Sequence, residues 1–99
     1  MRLSDSQRQI IKSAVARIVG AESRVWLFGS RTDDAQRGGD IDLLVETDQV
    51  IPDRVGVLCK LEGTLTMGLG DRKIDVVLKD ARTGEAPIFD AAREKGILL

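Results

Sequence analysis

Two aspartates separated by one apolar residue, Asp40 and Asp42 in GGDIDLLV, are the most chemically loaded feature of this 99-residue chain. In a β-strand successive side chains alternate between faces, so both carboxylates project from one face while Ile41 points into the core. Carboxylates held that close repel one another and favour a bound divalent cation. Asp75 in KIDVVL is flanked by Ile74 and Val76 in the same alternating way. With the strand that carries Asp75 beside the strand that carries Asp40 and Asp42, three carboxylates converge. That is enough to bind one or two Mg²⁺ (or Mn²⁺) ions carrying substrate phosphates.

Phosphate-binding groups lie close by in the sequence. Gly29-Ser30 offers a tight turn, exposed N–H groups and a hydroxyl. Arg31 and Arg37 follow, open to either phosphate oxygens or solvent. Gly38-Gly39 lets the loop re-enter a sheet, and Asp33 and Asp34 read as turn-forming or solvating residues. The set describes metal-dependent nucleotide phosphate chemistry. The chain contains no His and one Cys, which excludes Ser-His-Asp and Cys-His hydrolysis, His general-base chemistry and thiolate or imidazole metal sites. Carboxylates, hydroxyls, amides, Lys and Arg remain, and these suit hard cations and phosphates.

These residues need strands to hold them and helices to cover the strands. Residues 4–19 read as an amphipathic helix, with Ser4 and Gln7 spaced as a capping box and Ile10, Ile11, Ala14, Val15, Ile18 and Val19 on one face. Gly20 ends it. Residues 24–28 (RVWLF) and 41–45 (IDLLV) read as strands joined by a polar loop. A second helix is expected over 53–69, with Val55, Leu58, Cys59, Leu65 and Leu69 as its apolar stripe and Cys59 as a small buried hydrophobe. Residues 73–78 form the third strand. Pro87 opens a last helix with Ile88, Phe89, Ala91 and Ala92 on its buried side, Gly96 stops it, and 97–99 form an edge strand or apolar tail. The order α, β, β, α, β, α predicts an α/β (α+β) domain with a small mixed sheet and helices packed mainly on one face.

Ninety-nine residues close one modest core, so the whole chain, 1–99, is expected to be a single domain whose partner supplies any further surface. Hydrophobic residues at 42% and charged residues at 31% are those of an ordinary folded domain. No apolar run is long enough for a membrane span, and the polar start lacks a signal-peptide core, so a cytoplasmic location is expected. A net charge of −1 and only three aromatic residues argue against nucleic acid as the partner.

The stretch GSRTDDAQRGGDIDL, followed by KIDVV, resembles the signature of the DNA polymerase β nucleotidyltransferase superfamily. The short length is similar to that of its minimal members, the MNT antitoxin-like proteins encoded beside a helical HEPN partner, and the closing PIFDAAREKGILL is similar to their last helix and tail. The resemblance implies the polymerase β-like nucleotidyltransferase fold. It also implies that Gly29 and Ser30 contact nucleotide phosphates, that Asp40 and Asp42 hold metal, and that Asp75 completes the site and activates the attacking hydroxyl. It implies ATP as the nucleotide substrate and transfer of AMP to a hydroxyl, a tyrosine of the HEPN toxin in MNT antitoxins. This chain has no Tyr, which leaves the acceptor to the partner. Nine residues separate Ser30 from Asp40, one fewer than in many family members, and the departure bears on Arg31 and Arg37 rather than on the acids. Two other readings stand beside it: a binding antitoxin that neutralises its partner by covering it, and half of a small-molecule nucleotidyltransferase.

Overall fold

The computed structural model describes residues 3–28, 41–70 and 73–99. Helix α1 spans Asp5–Ile18, capped at Ser4 by the full capping box: the Gln7 N–H donates to Ser4 Oγ at 3.1 Å and the Ser4 N–H donates to Gln7 Oε1 at 2.8 Å. The helix closes at Val19, and Gly20 takes a positive φ that L side chains rarely adopt.

Strand β1 (Arg24–Phe28) pairs antiparallel with β2 (Ile41–Glu46), and β2 pairs parallel with β3 (Ile74–Lys79). The crossover between β2 and β3 is α2 (Arg54–Leu69), whose Asp53 side chain accepts from the Gly56 N–H. Helix α3 (Pro87–Lys95) follows, and β4 (Ile97–Leu98) returns antiparallel to β1, giving the sheet order β3-β2-β1-β4. The expected mixed sheet is thus present, with β2 one residue longer than predicted, β3 shifted by one, and the closing segment paired as an edge strand.

The two faces of the sheet are covered unequally. Ile41, Leu43 and Val45 of β2, with Ile74 and Leu78 of β3, point to one side, where Ile11, Ala14 and Val15 of α1 and Leu61, Leu65 and Leu69 of α2 complete the main core. On the other side Leu44 packs with Phe89 and Ala92 of α3, flanked by Trp26, Phe28 and Val77. Two helices share one face, as predicted, and α3 alone covers the other.

Two predicted stripes are corrected. In α2, Val55 is 72% exposed and Cys59 is also exposed, so Cys59 is not a core residue. The buried line runs through Leu61, Leu65 and Leu69, and at 100° per residue Val55 and Cys59 lie roughly 80–120° round the helix from its centre. In α3 only Phe89 and Ala92 are buried; Ile88 and Ala91 face outward, because a nine-residue helix resting on a strand face buries a single narrow line.

Candidate active site

Alternation along β2 puts Asp42, Leu44 and Glu46 on the face opposite the main core, and along β3 it does the same for Asp75, Val77 and Lys79. The parallel register sets Asp42 directly beside Asp75, and the antiparallel register sets Phe28 on the other side of Asp42. Neighbouring strands run about 4.8 Å apart, so the two aspartates stand side by side on one face. Asp42 is half-buried and Asp75 is exposed, a setting in which one acid is held by its surroundings and the other opens to solvent.

Phe28 and Ile41 flank the undescribed stretch 29–40, and both sit at the sheet end that carries this acid pair. Gly29, Ser30, Arg31, Arg37 and Asp40 lie outside the described residues, so of the predicted site residues the structure brings together Asp42 and Asp75. Among the described residues no group of three or more His, Cys, Asp or Glu side chains could hold a metal ion. Two adjacent carboxylates on one sheet face are nonetheless a hard oxygen donor pair, the type of ligand a Mg²⁺ or Mn²⁺ ion takes. A cavity of about 280 Å³ lies elsewhere, between α1, β1 and β4, lined by Lys12, Val15, Arg24 and Leu98 among others. No Asp or Glu side chain lines it, and it shares no residue with the acid pair.

At the opposite end of the same face is a polar cluster that the sequence reading missed. Glu46 is 5% exposed, and its carboxylate accepts from Trp26 Nε1 at 2.8 Å and from Arg93 Nη2 at 2.8 Å and Nε at 3.1 Å. Burial opposes ionisation of Glu46, but the hydrogen bonds from Arg93 and Trp26 outweigh it and hold its pKa below the ordinary value. Arg93 also reaches Glu85 and Asp90, and the bonds to Glu46 and Glu85 push its pKa up. This cluster fastens α3 over Leu44, the residue two along from Asp42 on the same face. A signal was present in the sequence: a lone Trp at the middle of a strand needs an acceptor for its indole N–H.

Asp80, directly after β3, is a second buried carboxylate, 1% exposed. It accepts from the backbone N–H groups of Ile51 and Arg82 and from Thr83 Oγ1, and it pairs with Arg54 at 3.1 Å. The Ile51 N–H leads the causes that pull its pKa from 3.8 down to about 2, against the cost of burial. Every oxygen of Asp80 is engaged in joining the loops after β2 and β3 to the start of α2, which makes it a structural acid.

The nucleotidyltransferase domain family matches residues 8–91, and the chain belongs to that family. A solved structure described as a double Asp-to-Glu mutant of the toxin-antitoxin MntA-HpeT has the same fold, with a TM-score of 0.64 and 22% identity over 93% of this chain and 70% of that one. No curated protein is significantly similar to the chain. The match spans β1 to β3 and the start of α3, so the acid pair lies inside the family domain.

Proposed function

We propose that this nucleotidyltransferase domain transfers a nucleoside monophosphate, AMP from ATP, to a hydroxyl of a helical HEPN-type partner protein, as the antitoxin of a cytoplasmic toxin–antitoxin pair. The observation that carries the reading is Asp42 beside Asp75 on one sheet face within a nucleotidyltransferase domain. The toxin–antitoxin context is supported by the likeness to MntA-HpeT. Among the described residues no helix is long and apolar enough to cross a membrane, which agrees with a water-exposed site of action.

In this reading Asp40, Asp42 and Asp75 hold Mg²⁺ or Mn²⁺, and Gly29, Ser30, Arg31 and Arg37 hold the nucleotide phosphates. A cation held there would offset the charge of the phosphate oxygens and of the departing pyrophosphate. The acceptor oxygen attacks the α-phosphorus, its proton passes to Asp75, the bond to the bridging oxygen breaks, and pyrophosphate leaves. Asp75, the more exposed acid, is the one an incoming hydroxyl can reach.

The test is transfer of label from ATP marked on the α-phosphate to the protein encoded next to this one, comparing wild type with the Asp40→Asn, Asp42→Asn double variant. Label on the partner that requires both acids is the expected result. Tight binding of the two proteins with no label moved from any nucleotide replaces this reading with that of a binding antitoxin.

A further inference from the structure

Strand β3 is six residues long and forms one edge of the sheet, with no described strand on its outer side. The ladder to β2 decides which backbone groups face out. The Ile41 N–H donates to Lys73 O and the Thr47 N–H donates to Lys79 O, so the odd-numbered residues of β3 turn towards β2, and Ile74, Val76 and Leu78 turn outward. The Leu78 carbonyl accepts from Arg54 Nη2 at 2.7 Å, which leaves it one lone pair. The outward groups of Ile74 and Val76 have no partner among the described residues. An edge of this length, with two valines at its middle, is a template for another strand.

Self-pairing about a two-fold axis can centre on any residue of the strand; an axis at Ile74 or Lys79 overlaps only one end of β3, and charge separates the four between them. An axis at Asp75 sets that carboxylate against its own copy. An axis at Val76 sets Asp75 against a valine and Lys79 against Lys73. An axis at Leu78 leaves Asp75 outside the pairing. Of the axes that pair the middle of the strand, only one at Val77 matches the charges. It sets Asp75 opposite the partner's Lys79, twice by symmetry, on either side of the Val77 pair, and sets Val76 opposite the partner's Leu78 in the hydrogen-bonding position. Lys79 is already on this face, 3.1 Å from Glu85, and its ammonium has donors for a second carboxylate.

We propose that β3 is a self-association edge, at which two copies of this chain pair antiparallel about Val77 with Asp75 of each opposite the partner's Lys79. The partner thereby contributes a cationic group to the candidate active site. The pairing does not depend on the proposed transfer reaction, because its charges and its open backbone groups are there whatever the acids bind.

Sedimentation velocity on the full chain tests it. Wild type is expected to sediment at twice the monomer mass as concentration rises. Asp75→Lys and Lys79→Asp each weaken association by roughly tenfold or more, since each turns two attractive cross-strand pairs into repulsive ones. The double exchange restores it. Val76→Pro removes an outward donor and no bond to β2, so it is expected to give a monomer with wild-type circular dichroism. A wild type that stays monomeric, a folded double exchange that does not recover, or a Val76→Pro chain that still dimerises overturns the proposal. Because Val76→Pro leaves both charges in place, the test survives misfolding of a charge variant.

Discussion

Asp42 and Asp75, far apart in the sequence, stand side by side in the sheet, and a cation shared between them, as proposed above, would relieve their repulsion. Like charges directly opposite each other across a ladder destabilise by about 0.5 kcal/mol. Asp75→Asn is therefore expected, at concentrations where the chain is monomeric, to raise the metal-free stability by about that amount and to abolish the gain from added Mg²⁺ or Mn²⁺, which in wild type would reach about 2.7 kcal/mol at a hundred times the dissociation constant. Thermal melts with and without metal check both, and a wild-type midpoint that ignores metal removes the case for a shared cation. Asp80 makes the opposite kind of contribution. Its pKa of about 2 in the fold lies below the ordinary 3.8, so its stabilisation is complete above that ordinary value and drains away as the pH falls from about 4 towards 2. Glu22, Glu46 and Glu85 are shifted the same way and add to the acid sensitivity. Urea titrations across this window should show the difference between wild type and Asp80→Asn shrinking as the pH is lowered, while the difference persists unchanged at neutral pH and just below it.

Glycines in the helices and at their ends separate positions where backbone crowding governs from those where propensity alone does. A Cβ on Gly63, in the middle of α2, meets nothing within 4 Å, so Gly63→Ala is expected to stabilise by about 1 kcal/mol. A Cβ on Gly96, between α3 and β4, meets the carbonyl oxygens of Ala92 and Leu27, both backbone atoms that cannot step aside. Gly96→Ala should lower stability and loosen β4 from β1, and paired denaturation curves read the contrast in sign. The same elements show what could be read from the chain alone. Ser4 with Gln7, Pro87 and the alternation around Ile41 and Ile74 are local signals, and local physics honoured them in α1, α3, β2 and β3. Alternation also placed Asp42 and Asp75 on the right faces. The phase of α2 was not local: Val55, Leu58 and Cys59 look as apolar as Leu61 and Leu65, and only the position of α1 and the sheet decides which line turns inward. The Glu46–Arg93 contact joins β2 to α3 across most of the second half of the chain and has no periodic signature at all. Of the candidate site, the acids on strands were legible because a strand has two faces.

At the scale of the whole molecule the sheet divides two cores of unequal size. The larger gathers α1, α2 and three strands; the smaller consists of Leu44, Phe89 and Ala92 with partly buried neighbours. So small an apolar contact is supplemented by the Glu46 carboxylate, which is held by Trp26 of β1 and binds Arg93 of α3. Removing one partner of a buried, hydrogen-bonded ion pair costs about 3–5 kcal/mol when the other is left buried. Arg93 keeps Glu85 and Asp90 and some solvent, so Glu46→Ala is expected to cost less than that, about 2–3 kcal/mol. The cost should fall unevenly. Regions with few buried contacts open at lower free energy than the global transition, and α3 with β4 is such a region. In native-state hydrogen exchange, amides of β2, of α2 and of the residues of β3 that turn towards β2, Asp75, Val77 and Lys79, should exchange only through global unfolding, while those of α3 exchange through a cheaper local opening. Glu46→Ala should widen that gap, stripping protection from α3 first and leaving the larger core protected. Equal loss across both faces would mean that the two cores rise and fall together, and that the acid pair sits on a sheet whose second face is as firmly held as its first.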